Sequence, residues 1–279
     1  MKLIQPTLIA TALTASLASP AIYAHESCNV DLSAGFTINP TSIEFLKEEA
    51  DGENSNRSLY KITDGKLLWV DGAEVTLNDS QKQLVQKYDA KIRQLVPEVK
   101  SVAIEGVDLA VDGVNLAFNG LLGEGNSVAA DLTAELKLVR EQVATNLTID
   151  NGITIGVDGL ESEELLGEDF EHRIESAVEK AVLNSMGSIL IAVGQQMMAD
   201  NGDEQSFETR MEEFGDTLEQ EMTARADKIE AKAQKLCVNI AKLDALEEQL
   251  KAEIEPLNNT NVFTVTQNEH EDDKALSAK

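Results

Sequence analysis

The sequence predicts an α+β protein made mostly of long α-helices, with a small antiparallel β meander at its N-terminal end. Three observations carry this. Residues 28–77 alternate apolar and polar positions and are punctuated by Asp-Gly pairs. From about residue 79 to 254 the apolar positions recur mainly at three- and four-residue steps, the period of one helix face. Aromatic residues make up only 4% of the chain, so Leu, Ile, Val and Ala must fill the core, a composition that suits helices packing on helices.

Residues 1–24 read as a secretory leader: a basic start (Lys2), an apolar stretch around Leu8–Leu17, a break at Pro20 and a small residue, Ala24, at the cut. The apolar stretch is too short to span a bilayer, and no later run is long and uncharged enough to do so. Export to an oxidising compartment is therefore predicted, with no membrane span. Acylation at Cys28 is disfavoured, because His25, Glu26 and Ser27 stand where small apolar residues are wanted.

In the N-terminal β region (25–78), Val30, Leu32, Phe36, Ile38, Ile43 and Phe45 mark short strands punctuated by Gly35 and Pro40. Residues 47–57 have no apolar periodicity and form a loop. Leu59–Ile62, Leu67–Val70 and Glu74–Leu77 are then separated by Asp64-Gly65 and Asp71-Gly72. Such pairs tolerate the positive φ that tight hairpins require, so a three-strand meander is expected.

The helical region (79–255) opens at Asn78-Asp79-Ser80, a capping sequence ahead of Leu84, Tyr88, Ile92 and Leu95. This helix is expected to end at Pro97. In 101–125, Gly106, Gly113 and Gly120 fall seven apart within a short repeat. As a helix the glycines form one bare stripe. As strands each unit is an alternating run closed by an Asp-Gly or Asn-Gly turn. Glycine costs about 1 kcal/mol in a helix interior, which favours strands. A helix over 128–145 follows, then a hairpin of Leu147–Ile149 and Ile153–Ile155 around Asp150-Asn151-Gly152. A further amphipathic helix spans Glu168 to about Ala199. The last helix, from about Gln205 to Ile254, carries a heptad stripe typical of a coiled coil, with a gap near Glu247. At 1.5 Å per residue it would reach about 75 Å, beyond the ordinary span of a compact domain, and bending, folding back or pairing with another chain are the ways to accommodate it. The acidic tail (256–279) is expected to be disordered.

Two cysteines, Cys28 and Cys237, remain after the leader. One intramolecular disulfide is the simplest reading; two buried thiols or one intermolecular bond are the alternatives. Closing a loop of roughly two hundred residues would contribute up to about 5 kcal/mol. No Cys-x-x-Cys pair is present, which argues against thiol-exchange catalysis.

The net charge is −27, one unit more negative once Lys2 leaves with the leader. That field repels phosphate backbones and anionic lipid, so nucleic acid is not an expected partner. Motifs for catalysis are few. Gly-x-Ser-x-Gly, His-Glu-x-x-His and a phosphate-binding Gly-x-x-x-x-Gly-Lys are absent. A copper site on His25 would need a second imidazole from His172 or His270. Asp108-x-Ala110-x-Asp112-Gly113 resembles a calcium loop but ends on Asn119 where a bidentate Glu belongs. Met186, Met197, Met198, Met211 and Met222 suit core filling better than a binding surface. No catalytic residue, cofactor or metal ligand is therefore assigned.

Several features together resemble the YggN-like family of uncharacterised proteins exported by Gram-negative bacteria. They are Cys28-Asn29-Val30, Ile38-x-Pro40, the two Asp-Gly pairs, Leu77-x-x-x-Gln81, Tyr88, Arg93-x-x-Val96-Pro97, Met186-Gly187-x-Ile189-Leu190 and Cys237-x-x-Ile240-x-x-Leu243. The resemblance covers 28–100 well and 170–250 in outline. It implies a periplasmic protein with a cysteine near each end, a helical 101–165 and no known activity. The expected role is noncatalytic binding or structure, as an adaptor or chaperone-like protein. Ile229, Leu236, Ile240 and Leu243 form the candidate stripe for another envelope protein or for self-association. A carboxylate-based hydrolase and a divalent-cation-binding protein are the rival readings.

Overall fold

Two Asp-Gly turns set the sheet. In the computed structural model Asp64 and Gly65 have φ of 52° and 67°, and Asp71 and Gly72 have 48° and 77°, the paired left-handed geometry that matches strand twist. The model describes residues 28–47, 57–160, 162–199 and 204–267. The leader, residues 48–56 of the predicted loop and residues 268–279 of the predicted tail lie outside them.

The described elements run β1 (Cys28–Leu32), β2 (Gly35–Ile38), β3 (Ser42–Lys47), β4 (Arg57–Thr63), β5 (Leu67–Val70), β6 (Ala73–Glu74), α1 (Asp79–Leu122), α2 (Ser127–Asn146), β7 (Ile153–Ile155), α3 (Ser162–Leu166), α4 (Phe170–Ala199), α5 (Glu204–Glu253) and β8 (Phe263–Gln267). The fold class is α+β. Six strands form an antiparallel sheet in the order β6-β5-β4-β3-β2-β7, and β1 pairs with β8. One face of the larger sheet buries Phe36, Ile38, Ile43, Phe45, Tyr60, Ile62 and Leu68. The first turns of α1 cover that face with Val85, Tyr88, Ile92, Leu95 and Val96.

The few aromatic residues concentrate here. Phe45 stacks on Tyr60 with ring centroids 4.2 Å apart, Phe36 lies 5.7 Å from Phe45, and Phe263 meets Phe36 edge-on at 5.5 Å. The buried hydroxyls of Tyr60 and Tyr88 bond each other at 3.1 Å. Each such aromatic pair contributes about 0.5–1.5 kcal/mol beyond its buried area.

Helix α1 begins as expected: the Asn78 side chain accepts from the Gln81 N–H, and Gln81 accepts from the Asn78 N–H, a reciprocal cap. It does not end at Pro97, which lies inside it. A proline in a helix interior costs about 3 kcal/mol, and packing against both α2 and α5 outweighs that. The strand reading of 101–125 is likewise corrected, because the whole glycine repeat is helical. Its period is the contact period with α5, which runs antiparallel beside it. Glu98 accepts from Asn239 at 2.7 Å, Glu105 from Lys232 and Asp112 from Arg225, a seven-residue step on both helices. Met222 covers Gly113, where an added β-carbon would lie 3.0 Å from its Cε. At Gly120 an added β-carbon would overlap the Phe214 ring, whereas nothing stands near Gly106.

Three further expectations change. The hairpin around Gly152 is absent: Ile149–Asn151 is a 3₁₀ turn, and β7 pairs with β2 in the register Phe36–Ile155, Thr37–Thr154, Ile38–Ile153. The short helix α3 was not expected. Residues 256–267 are ordered, because Leu257, Val262 and Phe263 are buried in the core. Helix α5 is one continuous element of 50 residues.

The glycine packing gives a paired prediction for urea unfolding. Gly106→Ala should raise stability by about 0.5–1 kcal/mol, the helix-propensity difference. Gly120→Ala should lower it by about 1 kcal/mol despite the same gain, because Phe214 must be displaced.

Candidate functional site

The carboxylate gap in the α5 stripe is where the C-terminal strand of the fold is held. Glu247 is 1% exposed, and its two oxygens accept the backbone N–H groups of Val262 (2.7 Å) and Phe263 (2.9 Å). One turn earlier, Asp244 accepts from the Val265 N–H at 3.2 Å. Two carboxylates on one face of α5 therefore anchor the strand β8. Burial pushes the Glu247 carboxyl up to about 7, although the two N–H donors and Lys251 pull it down. Burial also raises the hydroxyls of Tyr60 and Tyr88 well above their usual range, reinforced by the charge of Glu247. The tyrosine pair is thus neutral at any ordinary pH.

Beside this anchor an apolar cavity of about 150 Å³ opens. The sheet side supplies Val30 and Leu32 from β1, Phe36 and Ile38 from β2, Ile153 and Ile155 from β7, and Phe263 from β8. The helical side supplies Ile92, Leu95, Val96 and Val99 from α1, Leu147 after α2, and Ile240 and Leu243 from α5; Leu160 completes the wall. Each of these fifteen side chains is aliphatic or phenyl. Such a cavity has no acid, base, nucleophile or ligand atom to offer. It can take up an apolar group, and a void of this size lined by aliphatic groups holds about one benzene ring.

Local sequence explains the wall. Strands β2 and β7 alternate, so Phe36, Ile38, Ile153 and Ile155 share one face. Ile92, Leu95, Val96 and Val99 follow the three-four step of one α1 face. Arg93, between them, turns away: its Nε donates to Asp89 at 2.9 Å and an Nη donates to the Asn39 carbonyl at 2.7 Å. That fixes the β2–β3 turn on α1.

The predicted site residues separate. In the stripe, Leu243 is buried, Leu236 and Ile240 pack against the core, and Ile229 is half-buried farther along α5. Ile240 and Leu243 thus reach the cavity, and the other two do not. Cys237 is 7% exposed, one residue from Leu236, and Cys28 opens β1. The calcium-like stretch is helical, with Asp108 paired to Arg140 at 2.7 Å and Asp112 paired to Arg225. No group of three metal-ligating side chains occurs among the described residues. His172 is exposed on α4, and His25 and His270 lie outside the described residues. Met222 packs on Gly113, whereas Met186 is 58% exposed. Neither Glu247 nor the cavity was assigned from sequence. The break in the heptad stripe was the signal for Glu247; the cavity has no local signal.

One family model matches the chain: a protein of unknown function (DUF2884), over residues 28–263. That span begins at β1 and ends as β8 begins. No curated protein and no solved structure matches.

The burial of Glu247 sets a pH dependence. Its folded pKa of about 7 lies above that of the unfolded chain, so its contribution favours the fold most below about pH 4.5 and is lost as pH rises through about 7. The total change is about 3 kcal/mol by linkage. Chemical denaturation at pH 5 and pH 8 should show that loss in the wild type relative to Glu247→Gln, which cannot titrate there.

Proposed function

Because the chain belongs to this DUF2884 family of unknown function, its role must be argued from geometry, and we propose that it is an exported, noncatalytic binding protein whose cavity takes up an apolar ligand, such as the end of an acyl chain. The carrying observation is the unbroken apolar lining of the cavity between the sheet and helices α1 and α5. An apolar group filling the space of about 150 Å³ would gain on the order of 3 kcal/mol of packing. The binding role of the stripe is assigned to its Ile240 and Leu243 end, through the cavity they line.

Periplasmic location belongs to the same proposal and rests on the leader-like residues 1–24. So does a Cys28–Cys237 disulfide. It is supported by the absence of a free cysteine among the described residues, the burial of Cys237 and the packing of β1 on α5. Val30 and Leu32 lie just beyond Cys28, and Ile240 lies three residues beyond Cys237, all on the cavity wall. The bridge would hold the two walls at a fixed separation.

Both parts are testable. Titration of the mature protein with the neutral probe N-phenyl-1-naphthylamine should show one saturable site, displaced by a medium-chain fatty alcohol. Val99→Phe, which fills the cavity, should weaken that site by at least about tenfold while keeping or raising the unfolding temperature. No saturable binding, or binding unchanged in Val99→Phe, would overturn the cavity reading. For the bridge, thiol titration of the denatured, unreduced protein should find no free thiol, and reduction should lower stability by about 2–5 kcal/mol.

A further inference from the structure

Helix α4 packs Phe170 and Ile174 against the core at its start but exposes a run of apolar side chains farther along. Its inward positions include Ala181 and Ser185, 6% and 7% exposed, and the Ser185 hydroxyl closes back on the Val182 carbonyl at 3.0 Å. Val178, Val182, Leu183, Met186, Leu190 and Ile191 are instead exposed, from 49% at Val182 to 74% at Leu190. Val178, Val182, Met186 and Leu190 are four apart and form one continuous stripe. The six side chains leave on the order of 500 Å² of apolar surface in water, the size of patch that marks an interaction site.

We propose that this face is the interface of a homodimer, in which α4 of one copy packs antiparallel on α4 of a second copy about a two-fold axis near Met186. Three features identify the occupant. First, no charged residue stands between Lys180 and Asp200, the longest such gap after residue 25 in a chain of net charge −27. Two copies repel one another across their acidic faces, and this neutral segment is where they can approach. Second, the stripe is complementary to itself: an antiparallel crossing at Met186 sets Val182 of each copy against Leu190 of the other, as a closed two-fold contact requires. Third, the area suffices. Covering the patch on both copies removes on the order of 1,000 Å² from water, where specific interfaces begin. A membrane is the weaker occupant, because the protein's charge repels anionic lipid.

The test is sedimentation velocity and light scattering on the mature protein through the micromolar range. The wild type should form a dimer, Leu190→Glu should be monomeric, and Val238→Glu, a control at another exposed apolar position on α5, should remain dimeric. Circular dichroism should find all three equally helical. A wild type that stays monomeric throughout, or a dimer that survives Leu190→Glu, overturns the proposal. Should Leu190→Glu lose helix, hydrogen exchange on the wild type decides instead. Amides of 178–191 should gain protection as concentration rises, and protection by neutral phosphatidylcholine vesicles without any concentration dependence would assign the face to lipid and overturn the dimer.

Discussion

The seven-residue register between α1 and α5 is the constraint on which the rest of the molecule depends. Glu98, Glu105 and Asp112 meet Asn239, Lys232 and Arg225 in sequence, and farther along α1 Gly113 and Gly120 admit Met222 and Phe214. The exposed ion pairs contribute little energy in water; they select one register among those that a heptad allows. Gly113 and Gly120 leave room for the Met222 and Phe214 side chains of α5, and the polar pairs fix which glycine faces which of them. With that register set, the start of α1 and the end of α5 arrive together at the sheet. There Gln81 donates to the Glu253 carbonyl at 2.6 Å.

At that end the two helices act as walls. Between them and the sheet lie the aromatic cluster, the Glu247 anchor and the apolar cavity. These features are linked through Phe263: its N–H is held by Glu247, its ring lies against Phe36, and both rings line the cavity. A buried carboxylate satisfied by two backbone donors is a directional anchor, which apolar contacts alone do not provide. The polar device positions the strand and the apolar neighbours shape the space beside it.

How much of this was legible depended on the range of the interaction that decides each element. The Asp-Gly hairpins were readable because positive φ is a property of two adjacent residues. Helices α2, α4 and α5 were readable because their periodicity runs for many turns. Pro97 and the glycine repeat misled for one reason: both lower helix propensity locally, and contacts with α5 and α2, far away in sequence, override them. Gly152 signalled a turn correctly but not its partner, since β7 pairs with β2 across more than a hundred residues. Polar composition in 256–267 hid Leu257, Val262 and Phe263, which only the core explains. The cavity is assembled from eight separate pieces of the chain, so no window of the sequence could contain it.

The pairing of β1 with β8 has a consequence for how the molecule comes into being. The first strand of the fold takes its partner from the last, and β7 reaches β2 only after both long helices of the first hairpin have been made. The larger sheet lacks its β7 edge until residue 155 has been made, and β1 has no partner until the chain is nearly complete. Until then β1 and β2 are open edges, able to pair with the wrong strand or with another molecule. Contacts so distant in sequence also slow folding. The contacts of the β2–β6 meander and of the α1–α2 hairpin are local, whereas those that join β7 to β2 and β8 to β1 are distant in sequence. The nascent chain therefore passes through a stage in which its β edges are open, and that stage is when it most needs shielding.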